Sequence, residues 1–335
     1  MENFSNLKMI NDFVNTMPKR NIAIEAAARA HQDKLTKPPG SLGMLEDLAV
    51  FLASWQSKER PIIENAQAII FAGNHGICEH GVSPYPQEVT HLMVSNFENG
   101  GAAMNQLCSL NGVELKVKSL SLDTPTQDFT QTEAMSMGEL LDAMSEGALA
   151  INKEANIILL GDMGIGNSTV SSALAASIFG GNVAEWVGAG TGANKKGISR
   201  KISVIEAGIS KHGACADLSA ILAFGGREQA AICGAILAAR SASIPVLLDG
   251  FICTAAAAPL YAISSSLLDH CLVGHKSEEP GHPKLLQAMN KKPILDLDMR
   301  LGEGTGAALA LSILKGAVAC HNHMATFEAA GITNL

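Results

Sequence analysis

A glycine-rich stretch, LLGDMGIGNST at residues 159–169, has the residue types and spacing of a phosphate-binding loop. In the P-loop pattern G-x-x-x-x-G-K-[ST], backbone N–H groups at a helix N-terminus bind phosphate. Gly161, Gly166 and Ser168 fit that pattern, and Asn167 stands at the position of its lysine. An apolar run precedes the loop and a helix-forming run follows it, so we predict an anion-binding loop between a strand and a helix. The residues expected to bind the phosphate are Gly164, Ile165, Gly166, Asn167 and Ser168.

The missing lysine distinguishes between two kinds of phosphate ligand. In nucleotide hydrolases that lysine reaches the β- and γ-phosphates, and Asn167 has no charge with which to do so. A kinase or ATPase is therefore disfavoured, and a single phosphate held by backbone N–H groups is favoured. An ordinary tight turn between a strand and a helix is the alternative.

A second glycine-rich stretch, GAGTGAN at residues 188–194, and a lysine beyond it are weaker candidates. Gly190 lies in this stretch, and Lys201 lies on a predicted amphipathic helix, RKISVIEAGI. Glycines also occur in mobile connections, and a lysine on an amphipathic helix usually faces solvent. The local pattern leaves both alternatives open.

The stretch DMRLGEGTG contains a candidate catalytic carboxylate. Glu303 stands between two glycines, after a predicted strand and before a predicted helix. A structural glutamate is usually found on an exposed helix face, whereas one in a glycine-rich loop above a sheet can meet a ligand. Burial in an apolar pocket would raise its pKa toward neutrality and make the carboxylate a usable general base.

His75, Cys78 and His80 lie close together in NHGICEHGV and raise the question of a metal site. Zinc needs a third or fourth protein ligand and a defined shell of supporting contacts, and none is apparent nearby. We expect this segment to line a pocket at the end of a strand instead. The sequence therefore predicts neither a metal nor a cofactor.

The elements that must position these groups alternate between short apolar runs and helix-length segments. The runs are AQAIIFAG, VELKVKSL, ANIILLGD, LSAILAFGG, IPVLLDG and HCLVGH. Buried strands that alternate with helices predict a parallel sheet covered on both faces, with ligands at the carboxyl ends of the strands. LSAILAF also fits a buried helix. Both ends of the chain have helical patterns, and we predict that they pack together beside the sheet.

Composition and charge exclude several classes of protein. The 335 residues are 47% hydrophobic and 17% charged, as in an ordinary globular protein. The formal charge is −8, and no basic stripe for nucleic acid is apparent. No apolar run reaches the ~20 residues of a membrane helix, and the first residues do not read as a signal peptide. Seven scattered cysteines fit a reducing compartment, so we expect a cytoplasmic protein.

Eight stretches, taken together and in this order, are similar to those of one enzyme family. They are TKPPGSLGMLE, FAGNHGICEHGVSPYPQEVT, GDMGIGNST, VGAGTG, FGGREQAAICGAI, LLDGFICTAAA, GHKSEEPGH and DLDMRLGEGTGAALAL. The chain thus resembles the nicotinate-nucleotide–dimethylbenzimidazole phosphoribosyltransferases, almost end to end. The resemblance implies an α/β fold with a Rossmann-like parallel sheet, flanked by helices, and a small helical domain built from both termini. It also implies a homodimer in which the partner completes each active site.

The resemblance further implies a reaction and a division of the chain. The small helical domain would comprise residues 1–35 and 318–335, and the large catalytic domain residues 36–317. The reaction would transfer the ribosyl phosphate of nicotinate mononucleotide to dimethylbenzimidazole, a step in cobalamin nucleotide-loop assembly. It would give α-ribazole phosphate and nicotinate, with inversion at the anomeric carbon. A different acceptor base (another benzimidazole or a purine) and a non-catalytic nucleotide-binding regulator are the alternatives.

The family pattern also implies roles for individual residues. Glu303 inherits the role of catalytic base, and the phosphate loop falls on residues 164–168. Asp162 stands where family members often have glutamate, and it would stabilise positive charge at the anomeric carbon. Lys201 matches a family lysine near the site. The pocket for the aromatic base is expected to be lined by Ser83, Gln87, Met163 and Leu301.

Overall fold

The computed structural model describes residues 3–332 as a parallel sheet with helices on both faces. The six strands are β1 (Ala66–Ala72), β2 (Glu114–Ser119), β3 (Ile157–Met163), β4 (Val246–Leu248), β5 (Cys271–His275) and β6 (Pro293–Leu295). Their order is β2-β1-β3-β4-β5-β6, and every neighbouring pair is parallel. The direction of winding reverses between β1 and β3, where open parallel sheets bind their ligands. The predicted α/β class is confirmed.

The central strand β3 shows why its sequence is a continuous apolar run. All seven of its residues are buried. Ile158 and Leu160 pack into one hydrophobic layer, and Leu159 and Met163 pack into the layer on the other face. Because successive side chains point to opposite faces, a strand that is covered on both sides has no polar alternation.

Helices form both layers over the sheet. Within residues 3–332 they are α1 (Lys8–Thr16), α2 (Ile22–Gln32), α3 (Met44–Gln56), α4 (Glu88–Glu98), α5 (Ala103–Leu110), α6 (Met137–Leu149), α7 (Asn167–Phe179), α8 (Lys195–His212), α9 (Ser219–Phe224), α10 (Arg227–Ser241), α11 (Phe251–Ile263), α12 (Gly281–Ala288) and α13 (Thr305–His323). The run LSAILAF is helix α9, so the helical alternative is confirmed for it. No helix in this part of the chain has both the length and the apolar character needed to cross a membrane.

Two helices begin directly at the loops that carry the predicted functional residues. Helix α7 follows the loop that ends at Gly166, and α13 follows the loop that contains Glu303. Leu311 and Leu314 of α13 are fully buried in the hydrophobic layer that also contains Leu247 of β4. The packing of α13 on the sheet therefore fixes the position of the loop in front of it.

The first residues of the chain pack against α6, whereas the segment at the end of α2 packs against the end of α13, as predicted for the two ends of the chain. The backbone N–H of Phe4 donates to Ser145 Oγ of α6 (3.0 Å). The side-chain amide of Gln32, at the end of α2, donates to Nδ1 of His321 in α13 (2.8 Å). The predicted domain boundary between residues 317 and 318 falls inside α13. The division into two domains stays a prediction, and its residues 1–2 and 333–335 lie outside the described part of the chain.

Helices α6 and α10 approach each other backbone to backbone. A Cβ atom on Gly147 of α6 would overlap the carbonyl oxygen of Ala231, and one on Gly234 of α10 would overlap that of Met144. Glycine is therefore required at both positions by the close contact of the two helices.

We expect Gly234→Ala to lower the free energy of unfolding by about 1–3 kcal/mol, because the added methyl group must push the two helices apart. The matched control is Gly316→Ala in α13, where a Cβ atom would meet nothing within 4 Å. That change should raise stability by about 0.5–1 kcal/mol through helix propensity alone. Urea unfolding measures both values, and equal effects at the two positions would contradict the packing argument.

Candidate active site

A cavity of about 330 Å³ opens at the carboxyl ends of β3, β4 and β5. Each of these strands contributes an ionisable side chain at or just beyond its end, namely Asp162, Asp249 and His275. The loop before α13 adds Glu303, and the segment between β1 and α4 adds Tyr85. The cavity therefore lies at the carboxyl ends of the strands, where parallel sheets bind ligands, and the segment after β1 extends it toward the point where the winding reverses.

The predicted phosphate loop forms one wall of the cavity. The wall residues are Gly164, Ile165, Asn167 and Ser168. Gly166, with φ +94°, makes the turn from which α7 starts. The side-chain amide of Asn167 donates to Oδ2 of Asp162 (2.8 Å). The N-terminus of α7 and its partial positive charge thus lie beside the cavity.

Lys201 and Gly190 lie next to this loop. The ammonium group of Lys201 donates to Ser168 Oγ (3.0 Å) and to the carbonyl oxygen of Gly188 (3.2 Å). Its side chain is buried, so the alternative of a solvent-facing lysine is wrong. Burial lowers the pKa of Lys201, against the opposing effect of Glu279. Gly190 lines the cavity, and its N–H donates to Glu279 Oε1 (2.8 Å).

Glu303 occupies an unusual backbone conformation. Its φ is +63°, and the glycines on either side have φ values of +82° and +87°. Non-glycine residues rarely adopt this region, and such residues are found more often at functional sites. Burial raises the pKa of Glu303 to about 7, and the negative charge of Asp249 adds to the effect. The side chain lines the cavity.

Asp249 holds this loop in place. Its Oδ2 accepts from the N–H of Gly304 and its Oδ1 accepts from the N–H of Ala307, both at 3.0 Å. These N–H groups belong to the first turn of α13, whose donors have no partner within the helix. His275 lies on the other side of Asp249, with Nδ1 at 3.4 Å from Oδ1.

The sequence reasoning missed both Asp249 and His275. Each stands directly at the end of an apolar run, in LLDG and in LVGH, which is the position from which a parallel strand presents a side chain to its ligand. The position of each residue at the end of an apolar run was the signal in the sequence that could have identified it. The bonds that join the two residues cannot be read from chain positions 26 residues apart.

Asp162 is buried among other carboxylates. Burial and then the charge of Asp249 raise its pKa to about 8, while a hydrogen bond from the Cys253 thiol acts in the opposite direction. Glu228 and Glu303 raise it further. Asp162 therefore carries a proton over much of the neutral pH range.

The four residues predicted for the aromatic-base pocket separate into two pairs. Met163 and Leu301 line the cavity, whereas Ser83 and Gln87 do not. Ser83 borders a different cleft, and the side-chain amide of Gln87 donates to the backbone oxygen of His75. Tyr85, between Ser83 and Gln87 in the chain, faces the cavity together with Val89 and Met93 of α4.

The residues considered for a metal site turn to three separate partners. His75 Nε2 lies 3.3 Å from Glu228 Oε1, His80 pairs with Asp128, and the Cys78 thiol donates to the carbonyl oxygen of Ile165. Within residues 3–332 the three side chains whose ligand atoms lie within 4.8 Å of one another, close enough to share an ion, are Glu278, Asp296 and Asp298. All three are exposed, as acidic side chains without a bound ion commonly are.

A parallel α/β fold in which a glycine-rich loop at a helix N-terminus and the half-buried carboxylate of Glu303 line one cavity is typical of an enzyme. A family model described as phosphoribosyltransferase matches residues 17–332. Relatives of known name are about half identical to this chain in sequence over nearly its whole length. The chain belongs to the family of nicotinate-nucleotide–dimethylbenzimidazole phosphoribosyltransferases.

Two relatives carrying that name illustrate the similarity. The protein from Rhodobacter capsulatus is 54% identical over 97% of each chain, and the one from Ruegeria pomeroyi is 49% identical over 98% of each chain. The crystal structure of CobT from Thermus thermophilus superposes with a TM-score of 0.88 at 37% identity. It covers 93% of this chain and 100% of its own.

The raised pKa of Asp162 makes a prediction about stability. Between the ordinary carboxyl pKa of 3.8 and the folded value of about 8, the folded chain holds a proton that the unfolded chain lacks. This group therefore lowers stability as the pH rises through that window. We expect Asp162→Asn to stabilise the fold, by an amount that grows from pH 5 to pH 8 by at most about 1.4 kcal/mol per pH unit. Thermal unfolding of both proteins across that range measures it, and a pH-independent difference would contradict it.

Proposed function

We propose that this chain transfers the ribosyl phosphate of nicotinate mononucleotide to dimethylbenzimidazole. The products are nicotinate and α-ribazole phosphate, the lower-ligand nucleotide of cobalamin. The observation that carries the proposal is a single cavity lined both by the glycine-rich loop in front of α7 and by the carboxylate of Glu303. The names of the relatives supply the identity of the two substrates.

The phosphate of the donor nucleotide is assigned to the loop at residues 164–168. Backbone N–H groups and the N-terminus of α7 favour an anion there without a lysine in the loop. Lys201 adds a positive charge directly behind Ser168, and Gly190 closes the same side of the cavity. The loop positions the donor nucleotide by binding its phosphate and takes no part in bond breaking. This role accounts for the absence of a P-loop lysine.

Glu303 is assigned the role of general base. One ring nitrogen of the benzimidazole attacks the anomeric carbon with its lone pair. The bond from that carbon to the pyridinium nitrogen breaks, and its electron pair returns to the ring, which leaves as neutral pyridine. The N–H proton on the other nitrogen of the benzimidazole goes to the carboxylate of Glu303. A pKa of about 7 suits a base that must be deprotonated to act yet hold a proton afterwards.

A single displacement of this kind inverts the anomeric carbon, because the acceptor enters opposite to the leaving pyridine. The transition state has positive charge on the ribose, as in glycoside hydrolysis. Asp162 carries a proton at neutral pH, since its pKa is about 8. We therefore assign Asp162 mainly to holding Asn167 through their hydrogen bond, and to charge stabilisation only at higher pH.

The acceptor base is assigned to the apolar side of the cavity. Met163 and Leu301 lie there, with Tyr85 and Val89 where the sequence suggested Ser83 and Gln87. A pocket of this kind distinguishes bases by shape, and one methylene group is worth only about 1–3 kcal/mol. Another benzimidazole or a purine is thus the closest alternative acceptor.

Two further properties complete the proposal. We place the protein in the cytoplasm because all seven of its cysteines are free thiols. We also propose a homodimer in which the partner covers the cavity. Tyr85 and Leu301 line the cavity with about half of their surface exposed, and Leu92 of the adjoining helix α4 is 67% exposed. Exposed apolar side chains at a cavity and on the helix beside it are typical of an interface.

The decisive experiment incubates the protein with nicotinate mononucleotide and a panel of bases that includes dimethylbenzimidazole, other benzimidazoles and purines. Product mass identifies the accepted base, and proton NMR gives the anomeric configuration. We expect the α-anomer and equimolar nicotinate. Phosphate release from ATP would favour the kinase or ATPase alternative, and binding of the nucleotide without turnover would favour the regulator.

Substitution of the base should separate binding from chemistry. We expect Glu303→Gln to bind nicotinate mononucleotide with nearly unchanged affinity and to lose at least about 100-fold in kcat, because the proton acceptor is gone. The exposed glutamate of α8 provides the matched control Glu206→Gln, which should behave as the unmodified protein. Activity retained in Glu303→Gln would refute the assignment.

The pH profile tests the same residue independently. Since only the deprotonated form of Glu303 accepts the proton, kcat/KM for the acceptor should rise about tenfold per pH unit below pH 7 and level off above it.

Light scattering tests the proposed dimer. We expect a mass twice that of the chain, and we expect Leu92→Asp to shift it toward the monomer and lower kcat/KM, because a charge at an apolar interface is costly to bury. Leu110→Asp, at an equally exposed leucine at the end of α5, is the control and should leave the mass unchanged. A monomeric unmodified protein with full activity would refute the dimer.

A further inference from the structure

One buried polar atom in the cavity has no partner within the described chain. His275 lines the cavity, and the residue is 1% exposed. Its Nε2 makes no hydrogen bond. A buried polar atom without a partner is costly, so an unpaired nitrogen on a residue that lines a ligand cavity points to a bond with the ligand.

The orientation of the His275 ring is fixed from behind. Its Nδ1 lies 3.1 Å from the backbone oxygen of Asp249 and 3.4 Å from Oδ1 of the same residue. Both are oxygens that accept, so Nδ1 carries the proton and Nε2 is left for the cavity. A Cβ atom on Gly250 or on Gly306 would collide with the imidazole ring. Two glycines therefore keep the space that the ring occupies.

The surroundings of His275 connect the proposed general base to the phosphate side of the cavity. Its partner Asp249 also accepts a hydrogen bond from the N–H of Gly304, which is next to Glu303, the proposed general base. Four residues after His275, Glu279 binds the N–H of Gly190, on the phosphate side. In a nucleotide whose phosphate lies at one end and whose base lies at the other, the part between them is the ribose.

We propose that Nε2 of His275 hydrogen-bonds a ribose hydroxyl group of the donor nucleotide, and that this bond selects ribose over deoxyribose. The inference rests on the proposed function for the identity of the nucleotide. A hydroxyl group suits the site because it both donates and accepts, and so it pairs with the neutral and the protonated imidazole alike. Burial lowers the pKa of His275, but the hydrogen bonds and charge of Asp249 raise it by more.

Two substitutions test the roles of the two ring nitrogens of His275 separately. In His275→Asn the side-chain amide can still donate to Asp249 from near the position of Nδ1, but nothing replaces Nε2. In His275→Gln the amide reaches the position of Nε2. The substrates are nicotinate mononucleotide and its 2′-deoxy and 3′-deoxy analogues, with kcat and KM measured for each.

We expect His275→Asn to lower kcat/KM for nicotinate mononucleotide by about 10- to 100-fold, and His275→Gln to recover most of it. For the analogue that lacks the bonded hydroxyl group, the unmodified protein and His275→Asn should agree within about threefold. The same loss with all three nucleotides would mean that the ring is only structural, and no loss with any of them would mean that Nε2 binds nothing. Either result overturns the proposal.

A control and a second measurement keep the test independent of the overall reaction. His270→Asn replaces a fully buried histidine at the opposite end of β5, where its ring contacts the backbone of Ile236, and should leave selectivity for ribose unchanged. Calorimetry with ribose 5-phosphate measures the bond without any transfer. If the unmodified protein bound ribose 5-phosphate no better than His275→Asn, the inference would fail. If it bound better but transferred no ribosyl group, the proposed function alone would fail.

Discussion

The carboxylate of Asp249 is the contact on which the arrangement of the site depends. Its two oxygens accept from the N–H groups of Gly304 and Ala307, at the start of α13. Those bonds keep the loop of Glu303 in a left-handed conformation that a glutamate would otherwise avoid. Burial raises the pKa of Glu303 and the charge of Asp249 raises it further, so one residue fixes the position of the proposed base and adds to its basicity.

The gathering of carboxylates explains the electrostatic character of the cavity. Asp162, Asp249 and Glu303 share an enclosed site, and mutual repulsion adds to the effect of burial on Asp162 and Glu303. A proton held by one carboxyl group relieves the repulsion on the others. The fold gives up some stability at high pH, and in return it has a carboxylate that can exchange a proton near neutrality.

The sequence was sufficient for the sheet and for the loops at its carboxyl ends. Continuous apolar runs identify buried parallel strands, and glycines at their ends identify sites of close backbone approach; Gly161 packs directly against Gly304 in this way. It was not sufficient for contacts between distant segments. Asp249 and His275 come into contact only because β4 and β5 are neighbours in the sheet. The burial of Lys201 likewise depends on its contacts with the segments that follow β3.

The segment at Ser83 to Gln87 shows a second limit of sequence reasoning. Two prolines, Pro84 and Pro86, stiffen this stretch, yet they do not determine which of its side chains faces the cavity. A shift of two positions in either direction exchanges Ser83 or Gln87 for Tyr85. That choice is made by the packing of α4, whose Val89 and Met93 already face the cavity.

The position of α13 after all the strands described above has a consequence for how the protein is made. The ribosome delivers this helix after every strand of the sheet has emerged. Until then the layer that holds Leu247 lacks Leu311 and Leu314 and exposes apolar surface to water. The arrival of the helix covers that surface and seats Glu303 over the cavity. Completion of this layer of the core and formation of the active site therefore depend on the same helix. A chain that stopped before α13 would be inactive and would tend to aggregate through the exposed apolar surface.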